Sequence, residues 1–348
     1  MKQWMARLAC RAGALACGSA AAQSGVQTYG LLDLNVVYAS NFSSPGGDAV
    51  RVSSGGMNTS RLGFRGSEDL GDGLKAVFQL ETGIAVDSGA ADTPLFKRQA
   101  NVGVEGRYGR LVLGRSFTVV YDFMLAYDPM GYAPFYSWAP AGNASGTSRY
   151  GMTLAFDNMV KYSGKMGKLT FGANYGAGEQ LSTADSAKGG IAVNYAGGPY
   201  SIVATWERAN GNTAAPAASR GAATAWHLGA MYSRGKLKFQ AAARDYRLAG
   251  SAPDVRARLY WAGGTYAATP AVTLAAAVYY QDVQNVTADT DPVMYVIRAR
   301  HALSKRTDLY VTAAHARAKN GRVVSLSRED AGHGSNQLGV LAGIQHRF

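Results

Sequence analysis

The sequence predicts an all-β protein, a closed transmembrane antiparallel β-barrel of about sixteen strands. Three observations support this prediction. Apolar and polar residues alternate with a period of two along most of the chain. Short turns alternate with longer loops rich in glycine, alanine and serine. The N-terminus is typical of an exported protein, and no uncharged apolar run reaches the roughly 20 residues that a membrane-spanning helix needs.

The N-terminal segment has the three parts of an export signal. Lys2 and Arg7 supply positive charge, the stretch LACRAGALACG is short and apolar, and residues 20–22 form an Ala-Ala-Ala cleavage site. We therefore predict that residues 1–22 are a cleaved signal peptide and that residues 23–348 form a single barrel domain.

Both cysteines, Cys10 and Cys17, lie in the predicted signal peptide. Cleavage just before Cys17 would instead produce a lipoprotein, but Ala14 stands where such sites prefer an aliphatic residue. After cleavage before Gln23 the mature chain has no cysteine, so it has neither a disulfide nor a cysteine-ligated metal. We expect no metal site and no cofactor.

The chain is basic, and its basic residues are scattered. The net charge is +12, and loss of the three cations in residues 1–22 leaves +9. A nucleic-acid-binding protein would be expected to carry clustered lysines and arginines, so we predict no nucleic-acid partner. Single basic residues on many strands are better explained by a shared aqueous space between the strands.

The clearest hairpin is residues 60–81, SRLGFRGSEDLGDGLKAVFQLE. In a strand, residues two apart share a face, so Arg61 and Arg65 lie opposite the apolar residues between them. The same alternation continues in LKAVFQLE. We predict that the polar face lines a water-filled lumen and includes Arg65, Lys75, Gln79 and Glu81.

Two other stretches are harder to orient. In FKRQANVGVEG, Arg98 has the same parity as Ala100 and Val102, which indicates either contact with another subunit or a different strand register. In VRARLYW, the apolar residues of 255–261 alternate with Arg256 and Arg258, and we expect the apolar set to face lipid.

A soluble β-sandwich also alternates apolar and polar residues, with the apolar face buried between its sheets. It does not explain an apolar face rich in alanine and glycine, or tyrosine and tryptophan near the strand ends. Lipid requires no interlocking side chains, and aromatic girdles lie at the membrane interfaces. A closed barrel is also the one sheet that pairs every backbone polar group in hydrocarbon. We therefore favour the membrane barrel.

Several motifs resemble the general porins of Gram-negative outer membranes, in particular the β-proteobacterial type. They are GVQTYGLLDLNVVY, SRLGFRGSEDLGDGLKAVFQLETG, LFKRQANVGVEGRYGRLVLGR, VVYDFMLAYDP and the terminal HRF. The resemblance implies a homotrimer of sixteen-stranded barrels with short periplasmic turns, long extracellular loops and a third loop folded into each lumen. It also implies contact with outer-membrane lipid and lipopolysaccharide, and recognition of Phe348 by the outer-membrane barrel assembly machinery.

The resemblance also implies a pore constriction. Arg61, Arg98 and Arg149 match wall positions of the family, and Asp122 and Asp128 match positions on the third loop. The P-E-F-G-G stretch of many enteric relatives is absent, and with it the loop glutamate. Three arginines against two aspartates in a basic chain predict passive diffusion of ions and small hydrophilic solutes with a preference for anions.

Other functions remain open at this point. An outer-membrane enzyme would need a catalytic group, but the histidines of the mature chain have no metal-ligand spacing and no partner motif. We therefore expect no enzymatic activity. A sugar-specific channel would need an aromatic track, which Tyr132, Phe135 and Tyr136 could form, although packing is the simpler explanation.

Overall fold

The computed structural model describes residues 25–44, 46–140, 151–179, 184–211, 221–250, 254–328 and 330–348. The predicted signal peptide and Arg149 lie outside these residues. The first nine strands are β1 Gly25–Ser43, β2 Gly47–Ser54, β3 Arg61–Gly71, β4 Leu74–Ala85, β5 Ala90–Ala91, β6 Gln99–Gly106, β7 Gly109–Phe117, β8 Ala155–Met166 and β9 Leu169–Gly176. The other nine are β10 Lys188–Gly197, β11 Tyr200–Asn210, β12 Ala222–Arg234, β13 Leu237–Ala249, β14 Val255–Ala267, β15 Val272–Gln284, β16 Val293–Ala302, β17 Thr307–Arg317 and β18 Asn336–Arg347.

These strands close into a sixteen-stranded antiparallel barrel, which confirms the predicted fold class. The last strand pairs with the first, from Leu31 opposite Arg347 to Ala39 opposite Gly339. β2 and β3 both pair with β1 and together supply one strand of the barrel. The two-residue β5 pairs with the end of β4 and is not a barrel strand.

The break between β2 and β3 is held by a buried carboxylate. Asp33 is fully buried and accepts hydrogen bonds from the backbone N–H groups of Gly56, Met57 and Asn58 at 3.0, 3.1 and 2.8 Å. These amides have left the strand ladder, and a buried amide without a partner is costly. Asp33 therefore allows residues 55–60 to leave the sheet without unpaired donors.

Exposure alternates along the barrel strands. Trp226 is 61% exposed and Leu228 60% exposed, whereas His227 between them is 3% exposed. Aromatic side chains cluster near both ends of the exposed apolar band, with Tyr200 against Tyr232 at the short-turn end and Trp206 against Trp226 at the long-loop end. This is the surface expected of a barrel in lipid.

The expected orientation of residues 255–261 is wrong. Leu259 and Trp261 are 1% and 2% exposed, and the Trp261 Nε1–H donates to the Tyr127 carbonyl at 2.9 Å. Arg256 and Arg258 are exposed on the outer face. The apolar residues of β14 pack against the connection between β7 and β8, so they do not face lipid.

The structure describes the first part of that connection, residues 118–140. It contains a helix α1 Val119–Met124, capped by the Thr118 hydroxyl accepting from the Tyr121 N–H, and a 3₁₀ helix Leu125–Tyr127. Further along, the Trp138 Nε1–H donates to the Ser325 carbonyl at 3.0 Å. Gln240 of β13 donates to the Ala126 carbonyl at 2.8 Å. Residues 118–140 thus contact side chains on the face opposite the exposed apolar one.

The C-terminal residue completes the closure. Phe348 and Gly30 exchange two backbone hydrogen bonds, at 3.1 and 3.2 Å. The Phe348 ring lies over Gly30, where an added Cβ would come within 2.2 Å of the ring. Glycine is therefore required under this ring in its present position.

Within the described part of the chain, no helix is long and apolar enough to cross a membrane.

Candidate pore constriction

Two of the predicted arginines meet at one carboxylate. The Arg98 Nε–H donates to Glu81 Oε1 at 2.7 Å, and Arg61 Nε lies 3.8 Å from Glu81 Oε2. The Glu81 side chain is 5% exposed, whereas Arg61 retains 28% exposure. Arg98 precedes β6, so the parity of that strand does not fix the direction of its side chain. This is why it reaches an inward-facing residue of β4.

Tyr29 and Gln79 hold the Glu81 carboxylate in place. The Tyr29 hydroxyl donates to Glu81 Oε2 at 2.7 Å and accepts from Gln79 Nε2 at 2.6 Å. The Tyr29 ring lies over Gly63, where a Cβ would come within 2.5 Å of the ring. The position of the carboxylate is therefore set by three neighbouring strands, β1, β3 and β4.

An aromatic stack joins this wall to helix α1. The Arg98 guanidinium lies 5.1 Å from the centre of the Phe117 ring, within range of a cation–π interaction. Phe117 stacks on Tyr121 of α1 with ring centres 4.5 Å apart. The arginine side chain is therefore fixed by a carboxylate on one side and an aromatic ring on another.

Asp122 of α1 forms an ion pair with a lysine that the sequence pattern did not single out. Lys161 Nζ of β8 donates to Asp122 Oδ2 at 2.7 Å and to the Phe117 carbonyl at 2.9 Å. The Asp122 side chain is 42% exposed. Partial burial of the Asp122 carboxylate raises its pKa above the usual value, and the nearby Lys161 ammonium opposes this shift.

Asp128 has a different environment, because it is 2% exposed. Its carboxylate accepts from the Tyr132 N–H at 2.7 Å and from the Ser137 and Tyr279 hydroxyls, the former at 2.8 Å. Tyr132 has a φ of 59°, in the left-handed region, so the carboxylate stabilises an unusual turn. The Asp128 carboxylate is therefore hydrogen-bonded to other groups of the protein.

The other predicted lumen residues lie nearer the short turns. Arg65 is exposed and its Nε–H donates to Gln27 Oε1 at 3.0 Å. Lys75 is exposed and lies opposite Glu105 of β6. Both have the parity of Gln79 and Glu81. Arg149 falls outside the described residues.

The site therefore contains residues that the sequence periodicity could not identify as functional candidates. Tyr29, Phe117 and Lys161 are ordinary strand residues in the sequence, and only long-range contacts bring them to Glu81, Arg98 and Asp122. No group of three potential metal-ligating side chains occurs among the described residues. In the described part of the chain the arrangement is a surface of paired charges.

The chain resembles known outer-membrane proteins over nearly its whole length. Residues 9–321 match the profile of the Gram-negative porins. Outer membrane porin protein 32 of Delftia acidovorans is 32% identical over 350 residues, which cover 96% of this chain and 97% of that protein. The structure of the anion-selective porin from Comamonas acidovorans is 25% identical and has a TM-score of 0.82, covering 94% of this chain and all of that chain.

The trimer form of OmpT from Vibrio cholerae shares the fold, with a TM-score of 0.70 at 17% identity over 93% of this chain and 99% of that chain. The family match extends over most of the sequence, and the fold it requires is the barrel described above. The chain therefore belongs to the Gram-negative porin family of the outer membrane.

Proposed function

We propose that this porin passes ions and small hydrophilic solutes by diffusion, prefers anions, and narrows its pore with residues 118–154. The observation that supports this most directly is the contact between wall and connection, where three cations, Arg61, Arg98 and Lys161, pair with two carboxylates, the buried Glu81 and the partly exposed Asp122. The similar Comamonas acidovorans structure is described as anion-selective. A surplus of fixed positive charge beside a narrow aqueous path favours anions.

The narrowing follows from how the connection is anchored. Its backbone carbonyls accept hydrogen bonds from the side chains of Gln240, Trp261 and Arg298 on the barrel wall, while Phe117 and Tyr121 join it to the arginine wall. A segment held at both sides inside a barrel reduces the open cross-section. We propose that Arg61, Arg98 and Asp122 face the remaining opening and that Arg149 contributes from the wall.

Asp128 acts in this proposal through the shape of the connection. Its four hydrogen-bond donors include the hydroxyls of Ser137 and Tyr279, so its charge is shielded from permeating ions. Arg65, Lys75 and Gln79 line the wider vestibule on the short-turn side.

Planar-bilayer recording tests the selectivity. We expect the double variant Arg61→Ser/Arg98→Ser to conduct more and to lose much of its anion preference, because two cations leave and Glu81 becomes unpaired. The control is Lys305→Ser/Arg306→Ser, which removes the same charge from an exposed turn. Reversal potentials in a salt gradient that are equal for both variants would contradict the assignment.

The remaining parts of the proposal concern assembly. We propose cleavage after Ala22, a homotrimer in contact with outer-membrane lipid and lipopolysaccharide, and recognition of Phe348 by the barrel assembly machinery. N-terminal sequencing of the purified protein tests the cleavage site. Migration of unboiled samples on SDS gels tests the trimer, and a Phe348→Ala variant that reaches the outer membrane at the wild-type level would exclude the assembly signal.

A catalytic role or a sugar-specific track is less favoured. Tyr132, Phe135 and Tyr136 are 4%, 3% and 1% exposed, so they pack within the connection and offer no track to a solute. We therefore propose passive transport without enzymatic activity.

A further inference from the structure

Three arginines form a row on the outer surface of the barrel near its long-loop end. Arg208 of β11 lies opposite Thr224 of β12, Thr224 lies opposite Arg247 of β13, and Arg247 lies opposite Arg256 of β14. All three arginines are exposed. We call Arg208, Arg247 and Arg256 the arginine row.

The arginine row lies just beyond the apolar band. Arg208 and Thr224 are each two residues farther toward the long loops than Trp206 and Trp226, which is about 7 Å along a strand. Tyr260 of β14 stacks with Tyr280 of β15 at the same end of the band. Aromatic residues of barrels mark the membrane interface. The arginine row is therefore at the level of the lipid headgroups.

Its charge is only partly balanced by the described residues. Arg247 and Arg256 lie directly opposite each other, and like charges in that position destabilise a sheet. Arg247 pairs with Asp254 at 2.6 Å, and Arg208 donates to the uncharged Asn210. Arg256 forms no hydrogen bond or ion pair with another described residue, and its charge interacts with the Asp254 carboxylate through space.

The exposed residues next to the arginine row on the side of the apolar band, in contrast, carry balanced charges. Arg258 pairs with Asp245 at 2.9 Å and lies opposite Asp282 on its other side. Arg258 is therefore neutralised by neighbouring carboxylates, whereas among the described residues only the Asp254 carboxylate pairs with a member of the arginine row.

We propose that the arginine row binds the phosphate groups of outer-leaflet lipids. Guanidinium groups match phosphate oxygens through two parallel hydrogen bonds, and a phosphate between Arg247 and Arg256 would relieve their repulsion. The proposal locates the lipid contact of the previous section on β11–β14. It rests on the membrane location of the barrel and is independent of ion selectivity.

Lipid retention by the full-length porin tests this. Protein in detergent micelles is loaded with diphosphorylated lipid A or with chemically dephosphorylated lipid A, washed, and examined by native mass spectrometry. For Arg208→Gln/Arg247→Gln/Arg256→Gln, we expect retention of the phosphorylated lipid to fall by about tenfold or more, because each arginine near an anionic surface contributes measurably. Retention of the dephosphorylated lipid should equal that of wild type.

The matched control is Arg234→Gln/Lys305→Gln/Arg306→Gln, which removes three charges from exposed turns at the other end of the barrel. Equal losses in both triple variants, or none in either, would overturn the proposal. Single-channel conductance and heat-modifiable migration show that each variant is folded. If the triple variant folds poorly, the single variant Arg256→Gln provides a second measurement. Arg256 is exposed and has no hydrogen-bonded partner among the described residues. A failed selectivity test would leave this result unaffected.

Discussion

Replacing Glu81 with glutamine removes one negative charge from the contact between the wall and helix α1. The amide oxygen introduced at this position can still accept the hydrogen bond that the Tyr29 hydroxyl now donates to Glu81 at 2.7 Å. Arg61 and Arg98 would lose the carboxylate that lies 3.8 and 2.7 Å from their Nε atoms. We therefore expect the variant Glu81→Gln to be more anion-selective than wild type.

The size of the effect follows from Coulomb's law. An ion passing about 6 Å from the lost carboxylate interacts with it by about 0.7 kcal/mol at the dielectric constant of water. At 0.1 M salt the Debye length of about 10 Å reduces this to about 0.4 kcal/mol. That is about a factor of two for the anion and an opposite factor of two for the cation. The anion-to-cation permeability ratio should rise about fourfold.

Reversal potentials across a tenfold gradient of potassium chloride measure this ratio. Glu105→Gln is the matched control, because Glu105 also has lumen parity but is 49% exposed and lies 3.7 Å from Arg110 near the short turns. A smaller shift is expected there. An unchanged ratio for Glu81→Gln, or equal shifts in the two variants, would refute the placement of Glu81 beside the permeation path.

Three further outcomes are expected. Acidification should increase the anion preference at pH values above the ordinary aspartate pKa of about 3.9, because burial raises the pKa of Asp122. The negative charge of Asp122 is lost as the pH falls through that raised value. Asp122→Asn should remove this part of the pH dependence. Asp128→Asn should leave the reversal potential nearly unchanged but increase channel noise and protease cleavage within residues 118–140. Each hydrogen bond to a charged acceptor contributes about 1.5–3 kcal/mol, and the variant weakens those that hold this turn. A large change in ion selectivity would show instead that Asp128 faces the pore. Gly30→Ala should lower the yield of folded, heat-modifiable barrel, because the added methyl group displaces the Phe348 ring at an overpacking cost of about 1–3 kcal/mol. The control is Gly189→Ala, where the added Cβ has no contact closer than 3.5 Å. This control should refold like the wild-type protein.

Period-two alternation predicted the hairpin of β3 and β4 well, because both strands have apolar residues on one face and polar residues on the other. The same rule gave the wrong orientation for β14. Its inward residues Leu259 and Trp261 are apolar because they pack against residues 118–140. Alternation identifies which residues share a face, but the face that meets lipid depends on what fills the interior.

The partners of the charged residues could not be predicted for a related reason. Arg98 precedes its strand, and its direction is set by Glu81, which is 17 residues earlier in the chain. Asp122 and Asp128 are close together in one motif, yet one is 42% exposed beside Lys161 and the other is 2% exposed within a turn. Their different environments depend on the folding of the connection, which no local pattern specifies.

The inward face of the barrel is thus divided into two kinds of surface. From β13 to β16 it presents buried groups such as Trp261 and Tyr279, which receive the connection. On β3 and β4 it presents Arg61 and Glu81, with Arg98 beside them, and these charges are held by hydrogen bonds and aromatic contacts. Packing and hydrogen bonds on β13–β16 can hold the connection without neutralising the charges on β3 and β4. In the proposed constriction, the net charge can therefore be altered at Arg61, Glu81 or Arg98 while the contacts of the connection with β13–β16 stay intact.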